Sequence, residues 1–129
     1  MEKVLGIGGL FFRSTDPEKL AEWYEQHLGV TRVPESYDDD PWLQDAGPTV
    51  FAPFEQSSEY FGRPEQSWMV NFRVLDLDAM VQQLSAAGVA VEGDPELYPN
   101  GRFASLSDPE GNPIQLWEPA DPHAETQTM

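Results

Sequence analysis

The sequence predicts a small α+β domain made of two similar βαβββ halves, on three observations. Phe12-Arg13-Ser14-Thr15-Asp16 resembles Phe72-Arg73-Val74-Leu75-Asp76, an offset of 60 residues. Each copy is followed by a capped amphipathic helical pattern that stops at a glycine, Gly29 or Gly88. Strand-like runs follow each helix, and the last two are joined by a strong turn signal. Repetition of a whole strand, cap, stripe and stop points to duplication rather than coincidence. Two such halves bury their sheets by curving a mixed sheet around a shared cleft, with the helices on the outer faces. The expected boundaries are one domain over residues 1–118, with module one at about 4–56, module two at about 66–118, and a flexible tail at 119–129.

The first helix is predicted to open at Asp16 as N-cap, with Pro17 at the first helical position where a missing N–H costs nothing. Leu20, Trp23, Tyr24, His27 and Leu28 then fall on one stripe facing a core. Gly29 suits the left-handed position after the last turn. The second helix opens at Asp76, carries Leu77, Met80, Val81 and Leu84 as its stripe, and ends at Gly88. Expected strands in the first half are Val30–Val33 and Thr49–Phe54, separated by an Asp-, Pro- and Glu-rich loop over 34–47. In the second half they are Val89–Glu92, Arg102–Leu106 and Ile114–Glu118. Asp108-Pro109-Glu110-Gly111 has the residues of a type I turn and is expected to join the last two as a hairpin.

Composition narrows the functional classes. With 40% apolar and 12% aromatic residues among 129, the chain can build a core and is not a disordered segment. A net charge of −16 repels phosphate backbones, so nucleic acid and anionic membrane surfaces are not expected partners. The same charge draws cations, although solubility alone explains it. There is no cysteine, which excludes disulfides, thiolate metal sites and Cys nucleophiles. No apolar run approaches the roughly 20 residues of a membrane span. Met1–Leu5 is too short and polar for a signal peptide, so the expected location is the cytoplasm.

The run from Gly101 to Glu118, with its Asp-Pro-x-Gly-Asn-x-Ile-x-Leu-Trp pattern, resembles the closing hairpin of the vicinal oxygen chelate superfamily. That superfamily comprises glyoxalase I, extradiol dioxygenases, fosfomycin-resistance enzymes and bleomycin-binding proteins. Leu20–Gly29 resembles its first-helix pattern, and the likeness extends over about residues 4 to 118. The resemblance implies the glyoxalase/bleomycin-resistance fold and a homodimer with its clefts at or near the subunit interface. It supports an activity poorly, because the fold hosts many chemistries.

Catalytic members hold a divalent metal through His, Glu or Gln on cleft-facing strands. Carried across, those positions fall near Gly9, at Met69, at Gln115 and around Phe51 to Phe54. Gly9 has no donor, a thioether is a poor ligand for such ions, and Gln115 is a neutral oxygen donor needing stronger partners. Hence no metal and no cofactor are expected, unless the ligand positions are aligned differently. His27 reads as a cation at a helix end or a partly buried side chain, and His123 lies in the tail. Asp38-Asp39-Asp40 lacks the spacing of a calcium loop and reads as solvated.

Strand alternation puts Met69, Asn71 and Arg73 toward the cleft, and Trp68, Val70, Phe72 and Val74 on the opposite face. By repeat symmetry Gly9, Phe11 and Arg13 line the other wall, while Gln115 and Trp117 share the cleft face of the last strand. The candidate ligand-binding set is Phe11, Arg13, Phe51, Tyr60, Met69, Asn71, Arg73, Gln115 and Trp117. Arg13 and Arg73 have the chemistry to grip a carboxylate or phosphate, but pairing with the chain's many acids is the first expectation for them. Asn71 reads equally as ligand contact or structural bond. Tyr60 and Phe61 form either a lid or packing beneath the cleft. The set suits a flat aromatic or cationic small molecule, so the expected function is metal-independent binding and sequestration of such a ligand. The alternatives are a lyase, isomerase or dioxygenase using a divalent metal, and a non-catalytic interaction domain whose cleft is filled by its own side chains.

Overall fold

The computed structural model describes residues 1–120. Its regular elements are α1 (Pro17–Leu28), β1 (Val70–Arg73), α2 (Leu77–Ala86), β2 (Glu92–Gly93), β3 (Gly101–Ser107) and β4 (Pro113–Pro119). The strands form one mixed, open sheet in the order β1-β4-β3-β2. β1 runs parallel to β4, while β3 is antiparallel to both β4 and β2.

Both helices start and stop where the sequence predicts. Asp16 and Asp76 cap them, each side chain accepting from a backbone N–H three residues on, at Lys19 (3.2 Å) and Ala79 (3.0 Å). After α1, Gly29 turns left-handed at φ 71°, and its N–H donates to Glu25 while that of Val30 donates to Tyr24. One further N-terminal donor of α2 recruits a strand: Leu77 N–H donates to Glu118 Oε1 of β4 at 2.8 Å.

The hairpin turn also forms as predicted, with Gly111 N–H donating to Asp108 O at 2.9 Å and the ladder closing from Ser107–Pro113 outward. Period-2 alternation on β3 and β4 sends Ala104, Leu106, Ile114 and Leu116 to the helical side. There they meet Leu20 and Tyr24 of α1 and Leu77 and Leu84 of α2 in one buried cluster. Val70, Phe72 and Val74 pack against it from β1 and its end.

The first half departs from the expectation. Its helix forms, but residues 4–12, 30–33 and 49–54 join no backbone ladder among the described residues. The regular sheet therefore comes from residues 70–119, and the two similar stretches of sequence share a capped helix in the structure. Glycine at 6, 8 and 9 weakens an extended run, and prolines at 48 and 53 remove ladder donors. The expected strand at Val89–Glu92 shrinks and shifts to Glu92–Gly93, paired with Ser105 and Ala104. The first half instead attaches through side chains. Phe12 packs on Trp68 with ring centroids 4.7 Å apart, and Trp42 and Tyr24 both meet the Phe72 ring edge-on.

No described helix is long and apolar enough to cross a membrane. The predicted tail lies outside the described residues from position 121 onward, His123 included.

Candidate functional site

The face of the sheet turned away from the helices looks into a cavity of about 1350 Å³. Its floor is set by register. Asn71 pairs with Gln115 across β1 and β4, and Phe103 pairs with Trp117 across β3 and β4. The alternation that buries Ile114 and Leu116 on one side aims these four residues to the other. The opposite wall is the first half's segment 50–54 and the connection through Tyr60, Phe61 and Arg63.

The aromatic part of the floor is a stacked pair. The Phe103 and Trp117 rings are parallel within 4°, with centroids 6.2 Å apart. Tyr98 meets Phe103 edge-on. Trp117 is 6% exposed, and its indole N–H donates to Asn100 O at 2.8 Å, which fixes the ring's orientation. Gly101 makes this approach possible. It sits at φ 132°, and a Cβ there would collide with Glu118 O and Trp117 Nε1.

The polar part is a chain of neutral hydrogen bonds. Asn71 Nδ2 donates to Gln115 Oε1 at 2.7 Å, and Gln115 Nε2 donates to the Tyr60 hydroxyl at 2.7 Å. Tyr60 is held in turn by Phe54, at a centroid distance of 5.6 Å. Glu55, Glu59 and Asp94 give the cavity rim an acidic character, against Arg63.

Of the predicted site residues, the cavity brings together Phe51, Tyr60, Met69, Asn71, Gln115 and Trp117. Phe11, Arg13 and Arg73 are not among its walls. Phe11 is 94% exposed, and its ring folds over Gly9. Repeat symmetry placed Phe11 and Arg13 opposite Met69, and that symmetry needs a first strand laddered into the sheet. Arg73 donates to Asp45 O at 2.9 Å and lies against Gly47, bracing the first half's loop on β1. Trp68 also corrects the face assignment. It lines the cavity together with Met69, because the ladder begins at Val70 and alternation does not govern the residues before it.

Phe103 and Tyr98 were visible in the sequence only as two of many aromatics, and register with Trp117 is what makes Phe103 part of the floor. The acids Asp108 and Glu110 lie outside the cavity. They fasten α1 to the hairpin turn, and burial followed by the hydrogen bond to Asp108 pushes the Tyr24 phenol far above its ordinary range.

The positions that hold a divalent ion in catalytic relatives do not fit one here. Gly9 and Met69 offer no hard donor, and Gln115 Oε1 is a single neutral oxygen that also accepts from Asn71. Among the described residues, no three His, Asp or Glu side chains converge.

The glyoxalase-like domain profile matches residues 9–117. The chain belongs to that family. The sequence-level resemblance to the glyoxalase/bleomycin-resistance superfamily is thereby borne out, and the mixed open sheet with two helices agrees with its fold. Among solved structures, TnmS3 from Streptomyces sp. CB03234, an antibiotic binding protein, is 29% identical to this chain. Its TM-score is 0.52, over 82% of this chain and 88% of its own. A glyoxylase/bleomycin resistance protein/dioxygenase domain from Frankia sp. EAN1pec has TM-score 0.59 and 18% identity, covering 92% of this chain and all of its own. A superfamily member from Sphaerobacter thermophilus DSM 20745 has TM-score 0.52 and 22% identity, covering 81% and 90%. The last two share the fold alone. No curated protein matches the chain.

Proposed function

We propose that residues 1–118 act as one ligand-binding domain, a cytoplasmic homodimer that holds and sequesters a flat aromatic molecule, neutral or cationic, without a metal. The observation that carries this reading is the parallel Phe103–Trp117 floor in a cavity large enough for a drug-sized molecule. Two parallel rings, stacked on each other and held by strand register and an indole hydrogen bond, offer a pre-formed aromatic wall, so little ordering is needed on binding. The acidic rim and the chain's net charge of −16 favour cations over anions. The 29% identity to an antibiotic binding protein supports a small-molecule binding role.

A second copy is proposed because the first half leaves apolar side chains in the open. Leu5, Phe11 and Phe51 are all more than 80% exposed. Unpaired strand-like segments with such side chains are surfaces that partners cover.

Titration of the purified protein with proflavine and other flat aromatic cations, read by quenching of tryptophan fluorescence, tests the binding function. Saturable quenching that is weakened in Trp117→Ala supports it. A panel that binds no better than millimolar in the wild type contradicts it.

A further inference from the structure

The neutral hydrogen-bond chain in the cavity has a direction, and the direction specifies a ligand group. Asn71 Nδ2 donates to Gln115 Oε1, and Gln115 Nε2 donates to the oxygen of Tyr60, each at 2.7 Å. The Tyr60 oxygen is thus used as an acceptor. Its own O–H donates to none of the described residues, and the residue, 56% exposed, lines the open cavity. A hydroxyl that accepts one hydrogen bond becomes a better donor of the next.

We infer that Tyr60 reads an uncharged ring carbonyl on the bound aromatic molecule, with Gln115 and Asn71 as positioning residues that hold the phenol in its donor state. The inference rests on the aromatic-cleft reading and sharpens it from a flat molecule to a flat molecule with a carbonyl edge. Three features of the site converge on this class. The stacked Phe103–Trp117 pair supplies aromatic surface for the ring. Phe54 beside the Tyr60 ring, and the donation of Tyr60 N–H to Ser58 Oγ at 3.2 Å, fix the phenol at the cavity edge. Glu55, Glu59 and Asp94 around the same cavity disfavour a carboxylate or phosphate as the acceptor, so the oxygen that Tyr60 meets belongs to a neutral group.

Fluorenone and fluorene form a suitable probe pair, since they share a planar ring system and differ only in the carbonyl. Both are titrated by tryptophan quenching against the wild type and Tyr60→Phe, with circular dichroism to show that the variant folds. In the wild type fluorenone is expected to bind roughly 3- to 10-fold tighter than fluorene, the effect of one hydrogen bond in a partly open site. In Tyr60→Phe the carbonyl preference is expected to vanish, so that the two probes bind alike. Gln115→Leu is expected to shrink the preference without removing the ring surface.

Equal binding of both probes to the wild type would overturn the inference and leave the aromatic cleft standing. A preference that survives in Tyr60→Phe would overturn it as well. Binding of neither probe would count against the cleft reading itself.

Discussion

The Tyr24 hydroxyl donates to Asp108 Oδ2 at 2.7 Å, a buried hydrogen bond that joins the first helix to the turn of the last hairpin. Asp108 also accepts from the N–H groups of Glu110 and Asn112 and from Asn112 Nδ2, so one carboxylate orders the turn and grips the other half of the chain. Removing only the donor should be measurable. Tyr24→Phe is predicted to lose about 1–2 kcal/mol of stability, the usual range for a buried hydrogen bond to a charged acceptor. Asp108→Ala, which strips all four bonds, is predicted to lose about 3 kcal/mol or more. Urea unfolding with unchanged m-values checks both.

The same bond predicts an alkaline limit. In the folded chain, burial and then Asp108 raise the Tyr24 pKa above its unfolded value of 10.0. A raised pKa gives stability that is complete below the unfolded value and is lost as pH rises toward the folded one. Unfolding free energy should therefore fall from about pH 10 upward. Tyr24→Phe should reduce that slope. A residual slope is expected from Tyr98, which its hydrogen bond to Asp94 also pushes up.

An acid limit follows from Glu110. Its carboxylate accepts from Thr15 N–H at 2.8 Å, Ser14 Oγ–H at 2.7 Å and Asp16 N–H at 3.2 Å. These bonds, the Thr15 backbone first, hold its pKa below 4.5. A depressed pKa gives stability that is present above the unfolded value and is lost as pH falls through the folded one. Asp78 beside Arg102 and Asp94 beside the Glu96 N–H are lowered in the same sense. Stability should decline as pH drops below about 4.5, the ordinary range of a carboxyl group. Glu110→Gln should be less stable at neutral pH and show a shallower acid limb in urea midpoints measured across that range.

The exposed first-half residues predict assembly. Light scattering after gel filtration should give twice the monomer mass. Phe11→Glu or Leu5→Glu should shift the mass toward the monomer without loss of helical circular dichroism. Wild-type protein that stays monomeric at micromolar concentration would remove the argument for a second copy.

What the sequence made legible was local. Asp16, Gly29 and Asp76 bound helices because their side chains or backbone act within three or four residues. Asp108-Pro109-Glu110-Gly111 closes a hairpin for the same reason. Alternation then assigned Ile114 and Leu116 to the core and Gln115 and Trp117 to the cavity, which required only that β4 be regular. The misses were non-local. The first half carries the strand pattern at 30–33 and 49–54, but pattern alone supplies no pairing edge. Arg73 looked like a cavity residue until the backbone of Asp45 provided its acceptor. Trp68 sat on the wrong face because the start of β1 at Val70 is set by its partner Ile114, not by its own neighbours. The bond between Tyr60 and Gln115 spans 55 residues, and no spacing rule announces it.

Metal-free binding is the centre of the account, and one comparison tests it. Proflavine affinity is measured by tryptophan quenching on protein treated with a chelator and dialysed, and again after addition of one equivalent of nickel or zinc. The prediction is the same Kd in both states and no retained metal by elemental analysis. Stoichiometric metal in the purified protein, with binding that vanishes on chelation and returns on reloading, would contradict it.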